Sequence, residues 1–202
     1  MQYPSFFDKV PPVELQDTLS DFLGVFVEGK FSISYLDCVK LAGHSCPTVA
    51  GAYLVTMKGL KELYGEDLPQ RGEIEITING SKDDGVNGIF GTIISFIVGA
   101  GDSGGFKGIQ GNFSRNNLLA YTFLNEGIVK FTRVDTKQSV TLTYDPSSIK
   151  PHPQMKELMQ KSIKGLANNE EKILFGKLWQ ERVEKILLSN DLHQNIITIL
   201  KD

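Results

Sequence analysis

The chain has 202 residues, 41% of them apolar and 22% charged, with a net charge of −3; this describes one globular domain, or one with an appendage, and excludes a disordered chain. The negative balance gives no electrostatic reason to expect nucleic acid or an anionic membrane as partner, and the longest apolar run, residues 93–100, is far short of the ~20 residues a membrane-spanning helix needs. Two cysteines and a start without a basic or apolar leader segment imply an intracellular, cytoplasmic setting without a disulfide framework.

In chain order, Pro11-Pro12 offers a helix start, and Leu15, Leu19, Phe22, Leu23 and Phe26 follow at helical spacing up to Gly29. Residues 31–41 read as extended. Pro47 opens a second helix, with Val49, Ala50, Tyr53, Leu54, Met57 and Leu60 inward and its end near Gly65. Glu73–Asn79 alternates strictly, which predicts a half-buried strand with Ile74, Ile76 and Ile78 inward. Residues 86–98 are apolar and fit either a strand or a helix, and a glycine-rich loop runs from Gly99 to Gly111. Residues 118–124, 127–134 and 139–144 read as three strands, with Asn125-Glu126-Gly127 and residues 135–138 as hairpin connections. Beyond the prolines of 145–153, helices are expected over 154–165, 169–188 and from 191. Strands in the middle and helices at both ends predict an α+β fold, an antiparallel sheet flanked by helices. Residues 1–150 form its core with the N-terminal helix, and residues 151–202 form a helical extension packed on that core.

Gly99-Ala-Gly101-Asp-Ser-Gly104, with Glu126 about 20 residues on, matches a dinucleotide-binding fingerprint. That motif works only if its last glycine opens a helix, and Gly105, Gly108 and Gly111 follow at once. The loop instead reads as one that needs unusual backbone angles, or that lets the main chain approach a ligand closely. The sharpest local signal is Gly43-His44-Ser45-Cys46-Pro47. Pro47 places Cys46 just before a helix, at the positive end of the helix dipole, a position that favours the thiolate. Imidazole and thiolate two residues apart suit a divalent metal, zinc above all. A buried thiol and a hydrogen-bonded histidine are the alternative reading. Lys107, Arg115 and Arg133 are candidates for meeting an anion, or else solvated arginines and lysines at loop and strand ends.

Residues 43–47, followed by the small-residue helix Val49-Ala50-Gly51-Ala52-Tyr53, resemble the Gly-His-x-Cys-Pro-Gly start of the FmdE family, which takes its name from a component of formylmethanofuran dehydrogenase. Asp84-Gly-Val-Asn-Gly-Ile89 is similar to that family's Cys-Gly-Val-Asp-Ala-Ile segment. The stretch from Gly111 to Leu118 is similar to its Gly-Cys-Thr-x-Gly-Lys-Gly-Asn-Leu. Residues 127–144 resemble its closing hairpin, with Arg133 at a family arginine. The departures are Ala42 before Gly43, where the family has a further histidine; Asp84 and Asn112, where it has cysteines; and Asn87, where it has aspartate. With no cysteine beyond Cys46, the C-terminal zinc ribbon of some members is lacking.

The resemblance implies a divalent metal, zinc, held by His44 and Cys46, which are also the catalytic pair, with Asp84 as a third ligand. It implies a small-molecule ligand met by Asn87, Gly111, Asn112, Arg115 and Arg133, with the metal at the mouth of a cleft walled by the 99–111 loop. It further implies a homodimer, for which the apolar 86–98 segment is a second motive. Two functions stay open: an enzyme or accessory component acting on a one-carbon or carbonyl compound, and a ligand- or metal-binding module without turnover.

Overall fold

The computed structural model describes residues 2–200, with the side chains of all but Asn190 and Leu192. It has an α+β architecture in which helices flank a five-stranded sheet, and a two-stranded sheet lies at the N-terminal side.

The expected N-terminal helix is replaced by strand β1 (Val13–Gln16), the short helix α1 (Thr18–Phe22), a 3₁₀ turn and strand β2 (Lys30–Ile33). β1 and β2 pair antiparallel. Two physical facts override the helical spacing of Leu15, Leu19 and Phe22. Val13 and Leu15 are buried with Glu14 exposed between them, the two-residue period of a strand. Asp17 then starts a helix at residue 18 by accepting the Leu19 and Ser20 amides, and Gly24, Glu28 and Gly29, all at positive φ, break it up. Phe22, Leu23 and Phe26 are consequently 61, 58 and 43% exposed rather than inward. The extended reading of residues 31–41 holds only to Ile33; Ser34 and Asp37 then form a reciprocal cap that starts helix α2 (Tyr35–Ala42).

Helix α3 (Pro47–Tyr64) begins and ends where its proline and Gly65 predict, and it is buried on nearly every side. Strand β3 (Ile74–Asn79) buries Ile74, Ile76 and Ile78 as its alternation requires. The ambiguous apolar segment is helix α4 (Asn87–Val98), with Phe90, Ile93, Ile94 and Ile97 inward at helical spacing. Those side chains are covered by the fold itself, so this segment does not call for a second chain.

β3, α4 and strand β4 (Leu119–Thr122) make a crossover unit, and β4 lies parallel to β3. The sheet is therefore mixed rather than antiparallel, in the order β4-β3-β5-β6-β7, where β5 is Val129–Arg133, β6 is Ser139–Leu142 and β7 is Ile199–Leu200. The remaining neighbours pair antiparallel. The expected hairpin between β4 and β5 does not form, because the two strands take opposite sides of β3. Their link passes over the end of β3, where Asn79 accepts the Leu124 amide (3.0 Å) and donates to the Gly127 carbonyl (2.7 Å).

Helices α5 (Met155–Ile163), α6 (Asn169–Leu188) and α7 (Asn190–Ile196) follow. α6 packs on α3, and its Val183, Ile186 and Leu187 belong to the same core as the sheet. α7 is fastened to α6 by His193, whose Nε2 lies 2.8 Å from the Ile186 carbonyl, to which it donates. Burial, with Lys58 nearby, lowers the pKa of this imidazole. The unfolded chain therefore takes up this proton more readily than the folded one, and the stabilisation is complete above the ordinary histidine value of about 6.5. Urea denaturation should show stability falling as the pH drops below that value, and a His193→Gln protein should lose this part of the pH dependence. An unchanged pH profile in the variant would assign the acid sensitivity elsewhere. No helix among the described residues is long and apolar enough to cross a membrane.

Candidate functional site

The turn between α2 and α3 carries His44 and Cys46. α2 ends at Gly43, at φ +73°, with its amide on the Val39 carbonyl. Cys46 is the N-cap of α3, its Sγ 3.5 Å from the Val49 amide, and Pro47 occupies the first helical position. His44 is exposed, and its Nδ1 lies 2.9 Å from the Ala42 carbonyl. A carbonyl only accepts, so Nδ1 carries the hydrogen, and in the neutral ring the lone pair is left on Nε2. Main-chain contacts of this kind orient a metal-binding histidine.

Side chains from α2, α6 and the segment after β6 hold the turn. Trp179 Nε1 (2.9 Å) and Gln180 Nε2 (3.3 Å), both on α6, donate to the Ser45 carbonyl. The Ser45 and Tyr35 hydroxyls share a buried hydrogen bond of 2.9 Å. Tyr144, just after β6, donates to the Pro47 carbonyl at 2.7 Å. Burial holds the hydroxyls of Tyr35 and Tyr144 far above their ordinary pKa, and proximity to Cys46 adds to this. Both therefore stay neutral around the thiol. Cys38 on α2 is fully buried, and burial pushes its thiol up to about 12, so it is an inert core residue. Gly51 makes room for this arrangement: a Cβ there would stand 2.2 Å from the Tyr144 ring. None of Tyr35, Tyr144, Trp179 or Gln180 was marked for the site by sequence; the one available signal was Gly51 in an otherwise well-formed helix.

The other predicted site residues lie elsewhere. Asp84 is exposed in the turn after β3. Asn87 fastens that turn to the start of α4, donating to the carbonyls of Asn79 and Ser81, both at 2.9 Å. Among the described residues, no three His, Cys, Asp or Glu side chains are placed to hold a metal, so the set His44, Cys46 and Asp84 is not gathered. Arg133 is held locally: Asp135 takes two of its N–H groups (2.9 and 2.6 Å), the Leu63 carbonyl a third, and its guanidinium stacks 4.2 Å over Tyr64.

Arg115 and Asn112 do come together, lining a cavity of about 530 Å³ with Phe113 and Leu118. Arg115 also borders a second cavity, of about 440 Å³, walled by Leu23, Phe26, Phe31 and Phe96. Its guanidinium shares the Asp17 carboxylate with Arg71, which reaches the carbonyls of Phe96 and Ile97 at the end of α4. Gly111, at φ +84°, closes the tight turn in which Ile109 and Asn112 exchange hydrogen bonds. No helix follows the glycine fingerprint. Gly101, Gly105 and Gly108 let the loop fold on itself, because a Cβ at each would fall within 2.2–2.7 Å of backbone. The cavity beside this loop is lined by Arg115 and Asn112, with neither His44 nor Cys46 in its wall.

A family model described as "FmdE, Molybdenum formylmethanofuran dehydrogenase operon" matches residues 41–193, most of the chain. The chain belongs to the FmdE family. The match begins just before the His44–Cys46 turn and takes in α6 and most of α7. Comparison with curated proteins gave no match.

Proposed function

We propose that this FmdE-family chain binds a divalent metal, zinc, through His44 and Cys46, and presents it to a small carbonyl, carboxylate or one-carbon compound in a cytoplasmic setting. What supports this reading is the Nδ1 contact of His44 to Ala42, which leaves the Nε2 lone pair out of that bond, on a turn that carries the Cys46 thiol two residues on, at the head of α3. The donor set is borderline-soft, as zinc prefers. The described residues of one chain add no third ligand, so water and the bound compound would complete the coordination. A metal so held supplies Lewis acidity toward a substrate oxygen. The chain's own part is positional: Trp179 and Gln180 fix the Ser45 peptide, Tyr35 fixes the Ser45 hydroxyl, and Tyr144 fixes the Pro47 carbonyl. The short ligand count favours a second reading, a binding module without turnover, with Arg115 and Asn112 meeting the compound.

Metal analysis of the purified, tag-free protein tests the site. One zinc per chain is expected in the wild type, and it should be lost in both His44→Ala and Cys46→Ser. Zinc affinity should fall on acidification, because protons compete for both donors. Substoichiometric zinc in the wild type, with no thermal stabilisation on adding zinc, would overturn the metal reading.

A further inference from the structure

We infer that the cavity of about 440 Å³ walled by Leu23, Phe26, Phe31 and Phe96 binds an apolar monocarboxylic acid, its chain among these side chains and its carboxylate on Arg115. The volume lies within the range of about 300–1,000 Å³ usual for small-molecule sites. The wall is assembled from the end of α1, the turn after it, β2 and α4. Leu23, Phe26 and Phe31 precede residues 41–193, where the family model matches, so the cavity is not part of the matched core.

Leu23, Val25 and Phe26 are exposed large apolar side chains, and all three line this cavity. Apolar side chains gathered in one exposed patch mark a binding surface, whereas scattered ones need no explanation. Here they surround a hollow. Phe26 and Phe31 stack on one another with 4.9 Å between ring centroids, which fixes one side of it. The apolar body of a small ligand would cover these groups from water.

The polar end is set by two arginines that share one carboxylate. Arg71 uses all three of its nitrogens, on Asp17 and on the carbonyls of Phe96 and Ile97. Arg115 places only Nη2 on Asp17, and its Nε and Nη1 meet no acceptor among the described residues. The Arg115 main chain is held on both sides, its N–H by the Phe106 carbonyl and its C=O by the Gly101 amide, both at 2.7 Å. Gly72, at φ +86°, leaves room for the side chain, since a Cβ there would stand 3.1 Å from Nε. Both oxygens of Asp17 are occupied. Asp37, the other acid at this cavity, is taken up by Ser34 and Lys40. Glu73 lines the neighbouring cavity and pairs with neither arginine. Spare guanidinium N–H groups beside an apolar hollow select an anion, and a planar carboxylate matches their geometry.

The site rests for Arg115 on the binding-module reading, and neither His44 nor Cys46 lines it. Isothermal titration calorimetry of the full chain with octanoate, octanol and octylammonium tests it. Octanoate should bind at one per chain, roughly tenfold more tightly than octanol, and octylammonium no better than octanol. Leu23→Asp, at an exposed position, should keep the wild-type circular dichroism and weaken octanoate by a similar factor. Arg115→Met should bring octanoate down to the affinity of octanol; if that variant does not fold, Leu23→Asp and the octanol comparison decide. Asn112→Ala, in the other cavity, and wild type stripped of metal with EDTA should bind octanoate as the untreated protein does. A loss seen in Arg115→Met and Asn112→Ala but not in Leu23→Asp would put the acid beside the glycine loop, overturning this site while the binding-module reading stands. Loss on EDTA treatment would put the carboxylate on a metal and overturn it too. So would equal affinity for octanoate and octanol, or no octanoate binding at millimolar concentration.

Discussion

An Asp17→Ala protein should unfold about 3 kcal/mol more easily than the wild type in urea, near the low end of what breaking a buried ion pair costs. Asp17 is 4% exposed and serves three groups: the α1 amides of Leu19 and Ser20, Arg71, and Arg115. Its removal strips α1 of its cap and leaves two guanidinium groups facing one another without the carboxylate between them. The lower figure applies because Arg71 and Arg115 are 18 and 16% exposed, so water relieves part of the loss. Burial by itself would raise the Asp17 pKa, but Arg115, the Ser20 amide and Arg71 outweigh it and bring the carboxyl below its ordinary value. The folded form thus holds this proton less tightly than the unfolded chain. The stabilisation is present above the ordinary aspartate value of about 3.9 and disappears as the pH falls through the folded value. The acid limb of the stability curve should flatten in the variant. A loss below ~1 kcal/mol, the worth of a surface pair, would show the cluster to be solvated.

A Gly51→Val protein should lose about 3 kcal/mol, the upper part of the range for overpacking a core. The Tyr144 ring occupies the space of the missing side chain, and it is anchored at its far end by the Pro47 carbonyl. Valine must therefore push the ring off that anchor or tilt α3. If the clash is the cause, the Gly51→Val/Tyr144→Ala double variant should lose much less than the sum of the two single losses, a coupling readable in a double-mutant cycle. Strict additivity would place the damage in the helix rather than at Tyr144. Tyr144→Phe alone should cost about 1 kcal/mol, one hydrogen bond.

The segments that were legible in the sequence carry their signal locally. Pro47 and Gly65 bracket α3, the isoleucines of β3 alternate without exception, and α6 has the length and period of a helix. The N-terminal misreading arose because Leu15, Leu19, Phe22 and Phe26 satisfy a helical period that Gly24, Gly29 and the Asp17 cap defeat. Which strand β4 would choose depended on whether residues 86–98 were helix or strand; once α4 forms, the crossover makes β4 parallel to β3. At the site, the spacing of His44 and Cys46 and its family resemblance were visible in one pentapeptide. The residues that hold that turn were not, because Trp179 and Gln180 act on Ser45 from 134 and 135 positions away.

That separation bears on how the protein is made. A ribosome adds about 5–20 residues per second, so on the order of ten seconds pass between the appearance of Ser45 and that of the α6 side chains that grip it. During this interval the nascent chain carries its imidazole and thiol on an unfastened turn, with α3 lacking the helix that covers it. Oxidation of the thiol would already compete with folding at that stage. A chain halted before residue 179 would retain the entire His-x-Cys motif yet lack the two side chains that hold its middle peptide in place.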